Sequence, residues 1–184
     1  MSKRIAYLAA AAFSALALTA TIAAPVSAEE KTVMVGGAAM FPSKNIIQNA
    51  VNSKDHTTLV AAVKAAGLVE TLEGKGPFTV FAPTNMAFGK LPAGTVDTLV
   101  KPESKPTLTK ILTYHVVPGR LEASSLTDGK KLKTVEGEEL TVKHQDGKTW
   151  IMDAKGGSSM VTISNVNQSN GVIHVVDTVL MPAS

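Results

Sequence analysis

The four histidines are the side chains best suited to chemistry near neutral pH in this chain, which has no cysteine. They lie at positions 56, 115, 144 and 174, so no pair has the i, i+2 or i, i+4 spacing typical of a zinc site. The absence of cysteine also excludes disulfides, thiolate nucleophiles and sulfur-ligated metals. We therefore expect no metal and no cofactor, with His174 as a satisfied core residue in its apolar run.

Sequence motifs for catalysis are equally scarce. The chain has no G-x-S-x-G elbow, no H-E-x-x-H helix and no phosphate-binding loop, and Gly36-Gly37 is not part of a G-x-G-x-x-G motif. Serine, histidine and aspartate all occur, but a catalytic triad is defined by geometry rather than by presence. We predict that the protein is not an enzyme. A hydrolase with an unrecognised site is the alternative.

Tyr114 and His115 are the candidate binding residues, and they lie in an apolar segment, LTYHVVPG, at 112–119. If this segment is extended, the two side chains point to opposite faces, so that only one can be deeply buried. Two interpretations remain open. The pair contacts a partner directly, or a buried, neutral histidine braces the fold through hydrogen bonds to backbone or to Thr84 or Asn85.

The N-terminus has the pattern of a secretory signal peptide over residues 1–28. Lys3 and Arg4 form a basic start, an apolar run extends from Ile5 to Ile22, and small residues precede Glu29. An uncleaved anchor is the alternative, because a run of this length approaches what a bilayer requires. We predict export, with the mature chain periplasmic or secreted.

Length and charge limit the remaining classes of protein. Removing residues 1–28 from 184 leaves 156, which suits one domain with a core of its own. Without Lys3 and Arg4, 16 basic residues face 15 acidic ones, the lysines are scattered and aromatics make up 4%. Nucleic acid is therefore not an expected partner. With no second apolar run of membrane length, we expect no stable membrane insertion after signal cleavage, and a monomer.

Hydrophobic periodicity predicts a helix-rich first half and a β-rich second half. Residues 29–41 are predicted to form an extended arm or linker, and the packed domain is expected over 42–184. The predicted elements are a helix capped by Ser43, a helix from Thr57 to Gly67, a strand over 78–81, a helix over 85–90 capped by Thr84, helices over 95–100 and 107–112, and a central strand within 172–180.

Three segments carry a resemblance to a known family. They are TVFAPTNMAF at 79–88, LTYHVVPG at 112–119 and NGVIHVVDTVLMP at 170–182, and the helical stretch at 57–72 accompanies them. Together they resemble a fasciclin-like domain that extends over residues 42–182. Three separate signatures in family order are much harder to meet by chance than one.

The resemblance implies an α+β fold, a β-sandwich or wedge of about seven strands with several helices packed on it. It also implies cell adhesion or extracellular binding, with a cell-surface or matrix protein or a polysaccharide as the partner. In the family, the pair matching Tyr114 and His115 is implicated in receptor-mediated adhesion. Asn85 departs from the family pattern, in which aspartate is common, and so lacks the charge.

A second function stays open from composition. The high aliphatic content and the seven methionines suggest a carrier of small, lipid-like molecules that uses an apolar cleft between helices and sheet.

Overall fold

The computed structural model describes residues 31–183, so the predicted signal peptide over 1–28 lies outside the described residues. The helices of this part are Ile46–Ala50 (α1), Thr57–Ala66 (α2), Val69–Glu73 (α3), Asn85–Gly89 (α4), Thr95–Leu99 (α5) and Lys105–Tyr114 (α6), with 3₁₀ turns at Lys54–His56, Pro102–Ser104 and Ala123–Ser125. Its strands are Val33–Val35 (β1), Ala38–Met40 (β2), Phe78–Pro83 (β3), Val116–Pro118 (β4), Lys131–Lys133 (β5), Glu139–Gln145 (β6), Lys148–Met152 (β7), Ser158–Gln168 (β8) and Gly171–Val176 (β9).

Seven strands form one sheet in the order β4-β3-β9-β8-β7-β6-β5. Strands β3 and β9 run parallel, and the other neighbours are antiparallel. The sheet curls until its two edge strands, β4 and β5, approach each other. A hydrogen bond joins them: the N–H of Val135, just after β5, donates to the carbonyl of Val116 in β4 over 2.8 Å. The result is a nearly closed barrel, and the α+β class with helices first and strands later is confirmed.

The central strand of the sheet is β9, as its almost wholly apolar sequence predicts. Every residue of β9 is buried, and the strand lies between β3 and β8. Strands covered on both faces carry near-continuous apolar runs instead of alternating ones. The prediction of a central strand within 172–180 is therefore confirmed, with the strand ending at Val176.

The two faces of the sheet bury two separate apolar clusters. Successive strand residues point to opposite faces, so Val80 packs toward the helices while Phe81 points into the barrel. The barrel cluster is small and almost fully closed: Leu140, Val142 and Ile151 are each 0% exposed. Strand β3 is thus the common wall between the helical layer and the barrel interior.

Helix ends follow the expected chemistry with one exception. The Thr84 hydroxyl accepts from the backbone N–H three residues later, and Gly67 ends α2 at φ 73°. Ser43 is not the cap of α1. Asn45 takes that role through a capping box with Gln48, because a turn over residues 41–44 delays the start of the helix.

The β1–β2 hairpin differs from the extended arm expected over 29–41. Val35 and Met40 are each 3% exposed and belong to the helix-side core. Gly36 and Gly37 make the turn at φ 57° and 77°, a conformation that glycine adopts without steric cost. A side chain at Gly36 would also collide with the Ser53 hydroxyl. The hairpin is therefore an integral layer of the domain.

Asn170 joins this N-terminal part to the sheet. Its Oδ1 accepts from the Ile46 N–H over 3.1 Å, and its Nδ2 donates to the carbonyls of Leu72 and Gly74 over 2.7 and 2.8 Å. Asn49 makes a second link, donating to the Gln168 side chain. Buried polar groups at both links are thus paired.

We expect Asn170→Ala to destabilise the fold by about 3 kcal/mol, because three backbone groups in or near the core lose their partner at once. Urea unfolding measures the change. The control is Asn167→Ala on the same strand region, where the side chain accepts one exposed hydrogen bond from Arg120 and the loss should be under about 1 kcal/mol. Equal losses in the two variants would contradict this role.

Candidate functional site

Tyr114 and His115 lie where helix α6 meets the sheet. Tyr114 is the last residue of α6 and His115 is its C-cap, and the two are 0% and 2% exposed. The expectation that only one of them is deeply buried was wrong. Strand alternation does not apply at a helix end, where adjacent side chains diverge by about 100°, so that one enters the barrel and the other the seam beside it.

The Tyr114 hydroxyl connects α6 to the far side of the barrel. It donates to the Glu139 carbonyl over 3.3 Å and accepts from the Ala154 N–H over 2.9 Å. Burial raises the pKa of Tyr114 to about 12, with Asp153 adding to the shift and the Ala154 N–H opposing it. The phenol therefore stays protonated and holds the start of β6 and the β7–β8 turn together.

The His115 ring bridges two backbone groups that are distant in sequence. Its Nε2 accepts from the Leu180 N–H over 3.0 Å, so the ring hydrogen sits on Nδ1 and is donated to the Ile111 carbonyl over 2.8 Å. Burial lowers the pKa of His115 to about 4, although the Ile111 bond and the charge on Asp153 oppose the shift. Of the partners that the bracing interpretation allowed, the ring uses backbone groups, and neither Thr84 nor Asn85 takes part.

Thr84 and Asn85 serve the corner between β3 and the helices instead. Asn85 Oδ1 accepts from the Thr58 N–H over 3.0 Å and from the Thr57 hydroxyl over 3.2 Å. Its Nδ2 donates to the Lys54 carbonyl over 2.8 Å. Asparagine thus uses both ends of its amide here, and an aspartate could not make the donor bond.

His174 is a satisfied core residue, as expected from its apolar run. It is 0% exposed and stacks on Phe81, its register partner, with ring centroids 5.7 Å apart. Nε2 donates to the Leu121 carbonyl over 2.7 Å, and Nδ1 accepts from the Asn165 N–H over 3.4 Å. Burial lowers its pKa, while the Leu121 bond and the Glu122 charge oppose the shift.

The histidines do not converge on a shared site. His144 is exposed on β6 and contacts the Leu126 carbonyl, and His56 lies in a 3₁₀ turn before α2. Within residues 31–183 no group of three His, Asp or Glu side chains is placed to hold a metal ion.

Sequence reasoning missed the outer face of the barrel. Lys143, Trp150 and Met160 are directly paired across β6, β7 and β8, and so point to the same side. The alternate positions, Val142 and Ile151, fill the barrel. We call this row, with Lys131 and Met152 beside it, the outer β-face. Three consecutive apolar residues in KTWIM were the signal that could have found it, because strand geometry places Ile151 on one face and Trp150 and Met152 on the other.

A nearly closed sheet with helices on one side and buried signature segments defines a fasciclin-type module. The chain belongs to this family: the fasciclin domain model matches residues 54–182. The described segment before residue 54, with the β1–β2 hairpin and α1, lies outside that match.

Relatives cover both bacterial and animal proteins. Protein sll1483 of Synechocystis is 47% identical over 168 residues, 91% of this chain and 90% of that protein. Immunogenic protein MPB70 of Mycobacterium bovis is 39% identical over 72% of this chain and 66% of its own. Transforming growth factor-beta-induced protein ig-h3 of pig is 37% identical over 76% of this chain but only 20% of its own length.

A solved structure shares the fold. It is a FAS1 domain pair from the insect cell adhesion molecule fasciclin I, with a TM-score of 0.68 at 18% identity, covering 77% of this chain and 52% of that one. In the described part of the chain no helix has the length and hydrophobicity needed to cross a bilayer.

We expect the free energy of unfolding to fall as the pH decreases from about 6.5 to 4. In this window the unfolded chain binds a proton that folded His115 excludes, because its pKa is lowered from 6.5 to about 4. Above pH 6.5 the contribution is fully present, and below it linkage predicts a loss of up to about 3 kcal/mol for this group. Urea unfolding at pH 7.5 and 4.5 measures it.

Two variants assign the effect. His115→Gln should reduce the pH dependence, whereas His144→Gln, at an exposed histidine, should leave it as it is in the unmodified protein. The lowered pKa values of His56, His174 and Asp177 contribute to the dependence that remains. An undiminished slope in His115→Gln would refute the assignment.

Proposed function

We propose that this chain is an exported fasciclin module that mediates adhesion by binding a cell-surface or matrix protein or a polysaccharide. It acts as a secreted or periplasmic monomer, without catalysis and without a cofactor. Family membership supports the proposal, as does the description of fasciclin I as a cell adhesion molecule. The signal-peptide pattern in residues 1–28 supports export.

One observation carries the proposal: the tyrosine and histidine side chains of the signature segments are buried and their polar atoms are occupied. Tyr114, His115 and His174 are at most 2% exposed, and each is hydrogen-bonded to backbone. Groups used in this way cannot also act on a substrate. Recognition is then left to the exposed surface, as in modules where a rigid scaffold presents loops and faces.

The outer β-face is the contact surface we favour. Trp150 is half-buried between Lys143 and Met160 in the paired row. Tryptophan is enriched at binding hot spots because it combines a large apolar surface with one hydrogen-bond donor. Lys131 is tied to Glu139 over 3.3 Å, whereas Lys143 has no ion pair among the described residues. The face therefore offers both apolar area and an uncommitted positive charge.

In this proposal Tyr114 and His115 serve binding as positioning residues. The Tyr114 hydroxyl fixes Glu139 at the start of β6 and Ala154 in the β7–β8 turn. These two positions flank β7, the strand that carries Trp150. His115, the C-cap of α6, accepts a hydrogen bond from the Leu180 N–H and so ties the same helix end to the segment after β9. The residues that the family links to adhesion would then act from beneath the surface.

We expect Tyr114→Phe to weaken attachment of the protein to partner-cell surfaces while the fold is retained. The ring still fills the barrel, but the two backbone groups lose their partner, at a cost of about 1–3 kcal/mol. Tyr114→Ala is unsuitable as a test, since emptying this site should cost about 3–5 kcal/mol. Attachment of Tyr114→Phe equal to that of the unmodified protein, with stability reduced, would leave Tyr114 a purely structural residue.

A second variant tests the face itself. Trp150→Ala should reduce attachment about tenfold, as expected for a hot-spot tryptophan. Met86→Ala is the matched control, because Met86 is 81% exposed on the helical side, and it should attach normally. Binding is read with the purified protein on cell-surface extracts, with captured partners identified by mass spectrometry. If Trp150→Ala attaches as well as the unmodified protein, the contact surface lies elsewhere. If the unmodified protein retains no partner at all, the adhesive function is refuted.

A further inference from the structure

A narrow cavity lies between the helices and the sheet, away from the outer β-face. Its volume is about 40 Å³, and its lining is almost wholly apolar. Helix α2 contributes Leu59 and Val63, the sheet contributes Val80 and Ile173, and the N-terminal segment closes the remaining side. A carrier, the second function that composition suggests, needs an interior site of this kind.

His56 is one of three polar residues in this lining, with Ser53 and His115, and the one whose ring has an unpartnered nitrogen. Its ring is 4% exposed, and its Nδ1 lies 2.9 Å from the Ser53 hydroxyl. If the Ser53 hydroxyl donates to Nδ1, the ring hydrogen of the neutral imidazole lies on Nε2. Nε2 is fully buried and has no hydrogen-bond partner among the described residues. A buried donor of this kind is rare in folded proteins and calls for a ligand or another reason.

Burial also keeps this ring neutral. It lowers the pKa of His56, while a weak hydrogen-bonding contact to the Ala82 backbone, which falls short of full hydrogen-bond geometry, and the charge on Asp55 oppose the shift. A neutral imidazole in an apolar setting suits an uncharged ligand oxygen.

The segment that borders the cavity exposes apolar side chains on its outer side as well, beside the polar Lys44 and Gln48. Val35, Met40 and Ala50 line the cavity, and their chain neighbours Met34, Phe41 and Val51 are 59%, 37% and 49% exposed. We call residues 33–51 the N-terminal wall. An ordinary surface layer carries polar residues on its outer side. Met34, Phe41 and Val51 of the wall offer apolar contacts to a molecule longer than the cavity.

We infer that the cavity is the closed form of a binding site for an elongated, uncharged aliphatic molecule with one oxygen acceptor, which the His56 Nε2–H binds. The oxygen-bearing end occupies the interior, and the chain passes the N-terminal wall and lies against its exposed apolar residues. The site stands apart from the proposed adhesive face, and the N-terminal wall lies outside residues 54–182 that match the family model.

The size of the cavity sets how the site must work. A cavity of about 150 Å³ admits benzene, and this one measures about 40 Å³. Only a small group enters without movement, so longer molecules must displace the β1–β2 hairpin. The hairpin turn has one backbone bond to the body, from the Lys54 N–H to the Gly36 carbonyl over 3.2 Å. Displacement must also break the packing of Val35 and Met40, whereas the Asn49 bonds to the Phe41 backbone can hold the hairpin's base.

The test uses 1-hexanol and 1-chlorohexane, which match in length but differ in the polar end. The purified protein should bind both, detected by calorimetry and by shifts of the Val33–Met40 amide signals in NMR. His56→Phe should weaken 1-hexanol about tenfold, because the alcohol loses its partner, and leave 1-chlorohexane within about twofold. Across primary alcohols from butanol to octanol, affinity should rise about fourfold per methylene.

Two further variants control for indirect effects. Val63→Ile fills the cavity from α2 and should weaken both probes while the fold is kept, and His144→Phe, on the barrel side, should change neither. Equal loss of both probes in His56→Phe, or no saturable binding of either by the unmodified protein at millimolar concentration, would overturn the inference. Adhesion that persists in the Val63→Ile variant separates this site from the proposed function.

Discussion

The fold depends on hydrogen bonds that side chains at the helix–sheet junction make to distant backbone groups. His115 joins Ile111 in α6 to Leu180 after the last strand, over a separation of 65 residues for the second bond. Tyr114 joins the same helix end to two places on the far side of the barrel. Because Tyr114 and His115 are at most 2% exposed, an unpaired group there carries a large desolvation cost, so these residues are tightly constrained by their neighbours.

This constraint separates scaffold from surface. The signature segments form β3, the end of α6 and β9, where almost every side chain is buried. An interior of this kind tolerates little change in volume or polarity. The outer strands face solvent on one side and are free to vary there, which is where a binding module can acquire a partner without loss of fold.

The N-terminal segment adds a second layer to this organisation. It supplies core residues to the helix side, is held by Asn49 and Asn170, and borders a cavity in whose lining His56 has an unpartnered ring nitrogen. The same domain therefore carries two independent features, an outer face on the barrel and an enclosed space under the helices. They are separated by the wall of the sheet, and mutations at one need not disturb the other.

Helix ends, caps and the central strand could be predicted from the sequence alone. The end of α2 at Gly67, the Thr84 cap and the central apolar strand follow from residue type and periodicity, and the α+β fold and the family follow from three ordered signatures. The burial of both Tyr114 and His115, the backbone partners of His115 and the packing of the β1–β2 hairpin did not follow. Each depends on groups far apart in sequence, and short-range patterns hold no information about which distant carbonyl or amide the closed fold brings within 3 Å.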